Sequence, residues 1–308
     1  MPSRFVPARR CRALSLFEPF GVGYTRLMGN EAKTGNGNGN GHGHGHDGTK
    51  RTALVTGASA GIGKELAHLF AADGHDVVLV ARSVQKLDEL AAELTKAHGV
   101  KAHVVAADLG HHAAPAAVAD QVRNRGLSID FLVNNAGFGS NGAFLDLDVK
   151  RELEMVDVNV RSLLELTHHF ARPMREHGFG RIMNIASTAG FQPGPYMATY
   201  YATKAFVISF TEALAYELAG TGVTVTCHCP GATATEFAST AGNDKTKLFQ
   251  RSGVADAKSV AAHAYRAMMN GEVLAIHGTL NWIGMQSLRV APRALMRSVV
   301  AGLNKAPS

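Results

Sequence analysis

Short apolar runs alternate with amphipathic segments along the chain from Lys50 onward. The first apolar run is TALVTG at 52–57, and the segment at 63–74 then repeats its apolar residues at helical spacing until Gly74 ends it. A second apolar run, DVVLVA, follows at 76–81. Short runs that are apolar on both faces are typical of buried parallel strands.

The alternation of strands and helices predicts the fold class. Strands are expected at 52–57, 76–81, 101–108, 129–137, 180–186, 222–228 and 273–277. Helices are expected at 63–74, 83–99, 113–126, 148–177, 198–219 and 256–270. Because right-handed βαβ units place helices on both faces of a parallel sheet, the pattern predicts one doubly wound α/β domain with a seven-stranded sheet.

The segments that flank residues 50–278 differ from this pattern. We expect residues 1–49 to be a disordered leader that ends in a linker rich in Gly, Asn and His. A signal peptide, an organelle-targeting leader and a true start at Met28 are alternatives for the leader. We expect the alternating histidines of the linker to be solvated, and we predict no metal site.

Residues 279–308 are expected to form a C-terminal amphipathic helical extension. Arg289, Arg293 and Arg297 recur every four residues among apolar side chains, and Pro292 divides the extension into two helices. Such a basic pair could lie on a membrane surface or cover the entrance to an apolar pocket. Packing on the body of the domain or on a partner subunit is the interpretation that we favour.

Composition and charge exclude several classes of function. Hydrophobic residues make up 46% of the 308 residues and charged residues 18%, as in globular proteins with a substantial core. The net charge of +6 is concentrated in residues 1–50, which carry seven basic and three acidic side chains. The nearly neutral remainder offers no basic groove for nucleic acid. Three cysteines form no disulfide framework, so we expect a reducing compartment, the cytoplasm.

A glycine-rich segment, TGASAGIG at 56–63, joins the first strand to the first helix. Gly57, Gly61 and Gly63 allow the backbone to approach a pyrophosphate, while the helix N-terminus supplies free N–H groups and the positive end of its dipole. The spacing differs from the commoner G-x-G-x-x-G. The strand–turn–helix context nevertheless predicts a dinucleotide site.

The end of the second strand indicates which dinucleotide is bound. An NAD site usually places an acidic residue there to hold the ribose 2′-hydroxyl, but this chain has Ala81 followed by Arg82. A guanidinium binds the 2′-phosphate that a carboxylate would repel, so we predict NADPH rather than NADH. Ser83 and Lys86 are weaker candidates for the same phosphate.

The stretch YMATYYATKAF at 196–206 contains three tyrosines and one lysine. Tyr200 is the tyrosine that has a cation, Lys204, four residues later on the same helical face. Ser187 ends the fifth strand, and the carboxyl ends of parallel strands form the ligand crevice. We therefore expect these three side chains to meet.

Together the three side chains fit the reduction of a carbonyl group. A nicotinamide cofactor delivers the hydride, Tyr200 delivers the proton, and the Ser187 hydroxyl hydrogen-bonds the developing alkoxide. We expect the Lys204 ammonium to stabilise the phenolate and so to lower the pKa of Tyr200.

At this point the chain resembles the classical short-chain dehydrogenase/reductase family over about residues 50–278. The motifs that carry the resemblance are TGASAGIG at 56–63, NNAG at 134–137, VNV at 158–160, Ser187, YYATK at 200–204 and PGATAT at 230–235. The resemblance implies a Rossmann-type fold, a nicotinamide cofactor, and a homodimer or homotetramer that forms through the two long helices. It also implies an Asn-Ser-Tyr-Lys tetrad, here Asn159, Ser187, Tyr200 and Lys204.

The resemblance further implies which residues contact the cofactor. In the family the lysine binds the nicotinamide ribose, the asparagine backbone holds a water of a proton relay, and residues at Asp108 and Thr235 lie by the adenine and the carboxamide. Thr233 departs from the Ile or Val that is common there. The expected cofactor residues are Thr56, Gly57, Ser59, Gly61, Ile62, Gly63, Arg82, Asp108, Leu109, Asn135, Ala136, Gly137, Tyr200, Lys204, Pro230, Gly231, Thr233 and Thr235.

Three segments are expected to contact the substrate: 137–144, 188–197 and 232–255. We expect about half of their large apolar residues to reach the site; these residues are Phe138, Phe191, Tyr196, Met197 and Phe237. The polar segment 238–253 resembles a mobile lid.

Three hypotheses for the function follow from these patterns. The first is an NADPH-dependent reductase of an apolar ketone or aldehyde, and the second is a 3-oxoacyl thioester reductase of lipid or polyketide metabolism. The third is a non-catalytic NADP-binding sensor or scaffold. The intact tetrad argues against the third, because a sensor needs no proton donor.

Overall fold

The computed structural model describes residues 49–237, 241–242, 246 and 254–305. Its strands are β1 (Thr52–Thr56), β2 (Asp76–Ala81), β3 (Ala102–Ala106), β4 (Phe131–Asn134), β5 (Gly180–Ile185), β6 (Val223–Cys229), β7 (Thr233–Ala234), β8 (Ala255–Asp256) and β9 (Leu274–Ile276). Its α-helices are α1 (Gly61–Ala72), α2 (Val84–His98), α3 (Ala114–Asn124), α4 (Val149–Val156), α5 (Ser162–His177), α6 (Ala198–Glu217), α7 (Ala257–Asn270), α8 (Thr279–Ser287) and α9 (Arg293–Asn304). The predicted leader, its linker histidines and most of the predicted lid lie outside the described residues.

Seven parallel strands form one sheet in the order β3-β2-β1-β4-β5-β6-β9. In the centre, Val55 of β1 pairs with Leu79 of β2 on one side and with Val133 of β4 on the other. The chain winds outward in one direction from β1 to β3 and in the other from β4 to β9. The predicted doubly wound Rossmann-type fold is confirmed, and the crevice at its switch point lies beyond the carboxyl ends of β1 and β4.

Alternate residues of the strands pack into two apolar layers. On one face Val55 packs with Phe70 of α1 in a layer that also includes α2 and α7. On the other face Leu54 packs with Leu166 of α5 in a layer that also includes α3 and α6. Because both faces are covered, the central strands are buried almost throughout, which explains their continuous apolar sequences.

Two local features differ from the predicted elements. The helix expected at 148–177 is interrupted, because a π-helical turn at Asp157–Arg161 separates α4 from α5. The two-residue strands β7 and β8 pair in parallel as a separate small sheet that was not predicted.

Pro292 precedes the first turn of α9, so the predicted division of the C-terminal extension is confirmed. In the described part of the chain, no helix has the length and apolarity to cross a membrane.

Candidate active site

The glycine-rich turn between β1 and α1 leaves the N-terminus of α1 open. Ala60 precedes the helix and offers no side-chain cap, so the first-turn N–H groups are free to bind an anion. Gly57 has a φ of +65°, and a Cβ atom there would lie 2.8 Å from Nδ2 of Asn135. At Gly63 a Cβ atom would lie 2.3 Å from the carbonyl oxygen of Gly57. Glycine is therefore required for both the turn and the close packing of the helix.

Hydrogen bonds tie the end of β1 to the segment after β4. Buried Thr56 donates its hydroxyl to the carbonyl of Val133 at 3.1 Å and accepts the N–H groups of Asn135 and Ala136 at 2.9 and 3.0 Å. Asn135 returns a hydrogen bond from Nδ2 to the carbonyl of Thr56 at 2.9 Å. These contacts fix the backbone on both sides of the switch point.

A cavity of about 490 Å³ lies at the carboxyl ends of the central strands. Most of the residues predicted for the site line it, namely Gly57, Ser59, Gly61, Ile62, Arg82, Asp108, Leu109, Asn135, Ala136, Gly137, Ser187, Tyr200, Lys204, Pro230, Gly231, Thr233 and Thr235. Thr56, Gly63 and Asn159 are buried behind the lining residues. The structure therefore brings the predicted residues to one place, with three of them in supporting positions.

Arg82 lies at one end of the cavity with its side chain 70% exposed. Its Nη1 is 3.9 Å from Oε1 of Glu154. Because an exposed ion pair contributes little free energy, this contact holds Arg82 only weakly. The two weaker candidates have other partners, since Lys86 Nζ is 2.9 Å from Glu236 and Ser83 accepts the N–H of Lys86 as the cap of α2. Arg82 is therefore the predicted cation best placed for a phosphate.

Ser187 follows β5 and Tyr200 lies in α6, and their hydroxyl groups are close enough to interact. The hydroxyl of Ser187 donates to the carbonyl of Pro230 at 3.4 Å. The hydroxyl of Ser187 also accepts the N–H of Ala189 at 3.1 Å, which holds it at the start of a 3₁₀ turn. Lys204 lies one turn after Tyr200 and donates from Nζ to the carbonyl of Ile185 at 2.8 Å. All three side chains are buried, so they are held in place and shielded from bulk water.

Burial shifts the two titratable groups of this trio in opposite directions. It raises the pKa of Tyr200 well above its ordinary value, and the nearby Ser187 hydroxyl offsets only part of that rise. The expectation that Lys204 lowers the pKa of Tyr200 is therefore wrong for this structure. The lysine Nζ is 5.8 Å from the centre of the tyrosine ring, and burial lowers its own pKa to about 8. Tyr200 is consequently protonated, as a proton donor must be.

Asn159 lies in the π-helical turn and holds the loop after β4 against α6. Its Nδ2 donates to the carbonyl of Phe138 at 3.0 Å and to the hydroxyl of Thr203 at 3.1 Å, and its Oδ1 accepts the N–H of Phe138 at 3.1 Å. The side chain thus has an internal partner for both of its polar atoms. π-Turns often occur at functional sites, and this one places Asn159 next to the trio.

Comparison with known proteins agrees with this geometry. The family model described as short chain dehydrogenase matches residues 51–246. This chain belongs to the short chain dehydrogenase family. As a member it is an oxidoreductase that binds a nicotinamide cofactor.

Individual relatives of this dehydrogenase cover most of its length. The ketoacyl reductase HetN of a Nostoc species is 34% identical over 225 residues, which are 72% of this chain and 76% of that protein. A short-chain dehydrogenase of Sphingobium yanoikuyae, solved with NADPH, has a TM-score of 0.70 and 35% identity, with 80% of this chain and 95% of that chain covered. The bulky-bulky ketone specific alcohol dehydrogenase of Comamonas testosteroni has a TM-score of 0.67 and 33% identity, with 80% and 93% covered.

The substrate end of the dehydrogenase's cavity is largely apolar. Phe138, Met197 and Phe237 line it, whereas Phe191 packs in the core beside α6 and Tyr196 lies outside the lining. Met197 and Phe237 also pack around Tyr200, whose ring centre is 5.2 Å from that of Phe237. Apolar side chains of the cavity lining therefore pack directly against the proton donor.

The structure adds residues that sequence reasoning missed. Leu303 of α9 lines the cavity, and so does Gln192 of the segment 188–197. No local pattern marks Leu303, because an amphipathic helix shows which residues share a face but not what that face covers. The departure at Thr233 is accommodated, because its hydroxyl donates to the carbonyl of Gly231 at 3.0 Å.

A buried polar network beneath the cavity was also missed. Asn134 donates from Nδ2 to Oδ1 of Asn184 at 2.8 Å and to the hydroxyl of Thr167 at 2.9 Å, and Asn184 donates to the hydroxyl of Thr211 at 3.0 Å. The network joins β4 and β5 to α5 and α6, the helix that carries Tyr200. The available signal was an asparagine near the end of each of two apolar strands.

Proposed function

We propose that this short chain dehydrogenase is an NADPH-dependent reductase that converts an apolar ketone or aldehyde into an alcohol. The observation that carries the proposal is that Ser187, Tyr200 and Lys204 are buried together in a cavity that the glycine-rich turn also borders. A dinucleotide site alone would suit a sensor equally well. A buried proton donor next to that site has a role only if protons are transferred.

The residues around the cavity fit a dinucleotide. The uncapped N-terminus of α1 suits its pyrophosphate, and the glycines of the turn allow close approach of the backbone. Bound NADPH supplies the hydride. The protein's own contribution is to orient the carbonyl, to exclude water and to provide the proton.

Each member of the trio has a distinct role in the proposed reaction. Tyr200 donates its phenolic proton to the carbonyl oxygen as negative charge develops there. Ser187 donates a hydrogen bond to the same oxygen, which stabilises the developing alkoxide. Lys204, with its pKa lowered to about 8, can lose and regain a proton near neutral pH, so we assign it the resupply of the proton.

The preference for NADPH rests on the end of β2. Ala81 stands where an NAD enzyme places an acidic residue, and Arg82 follows it at the cavity. The exposed guanidinium of Arg82 can turn from Glu154 to a phosphate. The NADPH in the related Sphingobium yanoikuyae structure supports the same choice.

The substrate class rests on the apolar walls at Phe138, Met197 and Phe237. A bulky ketone fits them, as the similarity to the Comamonas testosteroni alcohol dehydrogenase supports. The second candidate is a 3-oxoacyl thioester, which the similarity to the ketoacyl reductase of Nostoc favours. Both candidates share the reacting carbonyl and differ in what lies beyond it.

We further propose a homo-oligomer that acts in the cytoplasm. The outer side of α6 carries exposed apolar side chains, among them Phe206 and Tyr216, that a second subunit would cover. The two buried cysteines, Cys227 and Cys229, are free, as suits a reducing compartment. Peripheral membrane contact through the C-terminal helices stays a prediction.

The test is NADPH consumption with ketones, aldehydes and 3-oxoacyl thioesters of increasing chain length. The Tyr200→Phe variant is assayed alongside, with Tyr216→Phe, at an exposed tyrosine of the same helix, as the matched control. We expect turnover to peak in one substrate class. Loss of a general acid costs about 10²- to 10⁴-fold, so Tyr200→Phe should lose nearly all turnover and still bind NADPH.

The outcomes separate the three hypotheses. A peak among simple ketones or aldehydes supports the first, and a peak among 3-oxoacyl thioesters supports the second. Tight NADPH binding without turnover of any member would favour the sensor. Undiminished turnover in Tyr200→Phe would contradict the assignment of the proton donor.

A further inference from the structure

The end of the C-terminal helix reaches the substrate side of the cavity. Leu303 lines the same cavity as Ser187 and Tyr200, about a hundred residues later in the chain. Val300, one turn earlier, is only 1% exposed and packs in the cluster that contains Tyr200. By contrast Leu295 on the same helix is 58% exposed. The buried part of α9 is therefore its last turn, the part that meets the active site.

A buried asparagine holds this last turn in place. Asn304 is 1% exposed, and its Nδ2 donates to the carbonyl of Pro195 at 3.1 Å. The hydroxyl of Tyr201 lies 3.3 Å from its Oδ1 and 3.2 Å from its Nδ2. Its backbone carbonyl accepts Nδ2 of Asn141 at 2.8 Å. One residue thus connects α9 to both substrate-side loops and to α6.

These contacts lie directly behind the proton donor. Tyr201 follows Tyr200 in α6, and their rings meet edge to face with centres 6.1 Å apart. Pro195 precedes Met197, another apolar residue of the cavity lining. Because a buried amide with both polar atoms paired is costly to displace, the last turn of α9 has one defined position against the site.

We propose that residues 300–304 form a fixed wall of the substrate cavity, in which Leu303 limits the length of the substrate's apolar part and Asn304 holds the wall in position. The inference rests on the proposed function, because it concerns the substrate of the same site. Leu303 acts by contact with the substrate. Asn304 is a positioning residue, since it acts through Pro195, Asn141 and Tyr201.

The size limit is tested with Leu303→Ala and Leu303→Phe, each assayed with NADPH and 2-alkanones of increasing length. A methylene in an apolar pocket changes kcat/KM by about tenfold or more. We expect Leu303→Ala to raise the ratio of kcat/KM for long over short ketones by about tenfold, mainly through KM. Leu303→Phe should lower that ratio. The control Leu295→Ala, an exposed leucine of the same helix, should leave the ratio unchanged.

The positioning role is tested with Asn304→Leu, which keeps the side-chain size but removes both polar atoms. We expect KM for long ketones to rise several-fold while kcat stays within about twofold, and hydrogen exchange of the amides at 195–201 to accelerate. Ser298→Ala is the control, because among the described residues the Ser298 hydroxyl bonds within α9, to the carbonyl of Ala294 at 3.5 Å. Unchanged KM and exchange in Asn304→Leu would overturn this role.

Calorimetry of 2-alkanones with the enzyme–NADP⁺ complex separates this inference from the proposed function. If wild type turns over ketones but Leu303→Ala and Leu303→Phe keep its chain-length profile, the wall is overturned and the reductase stands. If nothing is turned over but ketone affinity shifts with Leu303 in the expected direction, the wall stands and the reductase fails. If the enzyme neither binds nor turns over any ketone, both the proposed wall and the proposed reductase of apolar ketones are overturned.

Discussion

The cofactor end of the cavity is built by short motifs at the ends of consecutive strands, whereas its substrate end is built by segments that lie far apart in the chain. Gly57, Arg82 and Asn135 each follow one of the first central strands. Phe138, Met197, Phe237 and Leu303 come from four separate segments and meet only after folding.

The difference follows from what each end has to do. A pyrophosphate can be approached closely only by backbone without side chains, so glycine is required at fixed positions and leaves a local signal. An apolar wall needs only side chains of suitable size, which occur throughout any core. The reaction class is thus encoded locally, and the substrate is encoded in tertiary packing.

Among the tests of this comparison between the cofactor end and the substrate end, the largest change in kcat/KM is expected when Arg82 is replaced. A charge-assisted hydrogen bond contributes about 1.5–3 kcal/mol, so Arg82→Ala should reduce kcat/KM for NADPH by about ten- to a hundredfold. With NADH, which has no 2′-phosphate, kcat/KM should change little. Steady-state kinetics with both cofactors provides the measurement.

Lys86→Ala is the control for that prediction, because Lys86 is a nearby cation that already pairs with Glu236. Its cofactor preference should stay close to that of wild type. An equal loss with NADPH and NADH in Arg82→Ala would show that Arg82 does not recognise the phosphate, and the cofactor end would then be less local than we argue.

A second effect concerns the pH dependence of reduction. The proposed proton resupply needs protonated Lys204, whose pKa is lowered to about 8 by burial. The reduction rate should therefore be constant below that value and fall about tenfold per pH unit above it. A kcat profile between pH 6 and 10 in a constant-ionic-strength buffer provides the measurement.

The contribution of Lys204 to the free energy of unfolding depends on pH in the opposite direction to the reduction rate. Its pKa is lower in the folded chain than in the unfolded chain, so the unfolded chain binds more protons between about pH 8 and 10.4. The contribution of Lys204 to the free energy of unfolding therefore rises across that window.

A flat profile of the reduction rate through pH 8 to 10 would exclude the role that we assign to Lys204.

Much of the fold follows from the sequence, because parallel strands buried on both faces leave continuous apolar runs. Each of the seven predicted strands overlaps an observed one, as β2 does at Asp76–Ala81. The strands β7 and β8 have two residues each, too few for any periodicity to show. The π-turn at Asp157–Arg161 keeps the helical course, so the sequence periodicity barely changes there.

The chemistry of the site followed from sequence only in part. The spacing of Tyr200 and Lys204 indicated one helical face, but it did not reveal that both side chains are buried. Burial is the largest cause of the pKa shift of each side chain. Leu303 and Asn304 had no local signal, because their roles depend on residues more than a hundred positions away.

The most direct measurement follows deuterium from the cofactor to the product. NADPH labelled at C4 on either face is incubated with the best carbonyl substrate from the panel, and the alcohol is analysed by mass spectrometry. The account predicts one deuterium at the carbinol carbon from one of the two labelled cofactors and none from the other. An alcohol without deuterium from either cofactor would contradict hydride transfer in this cavity.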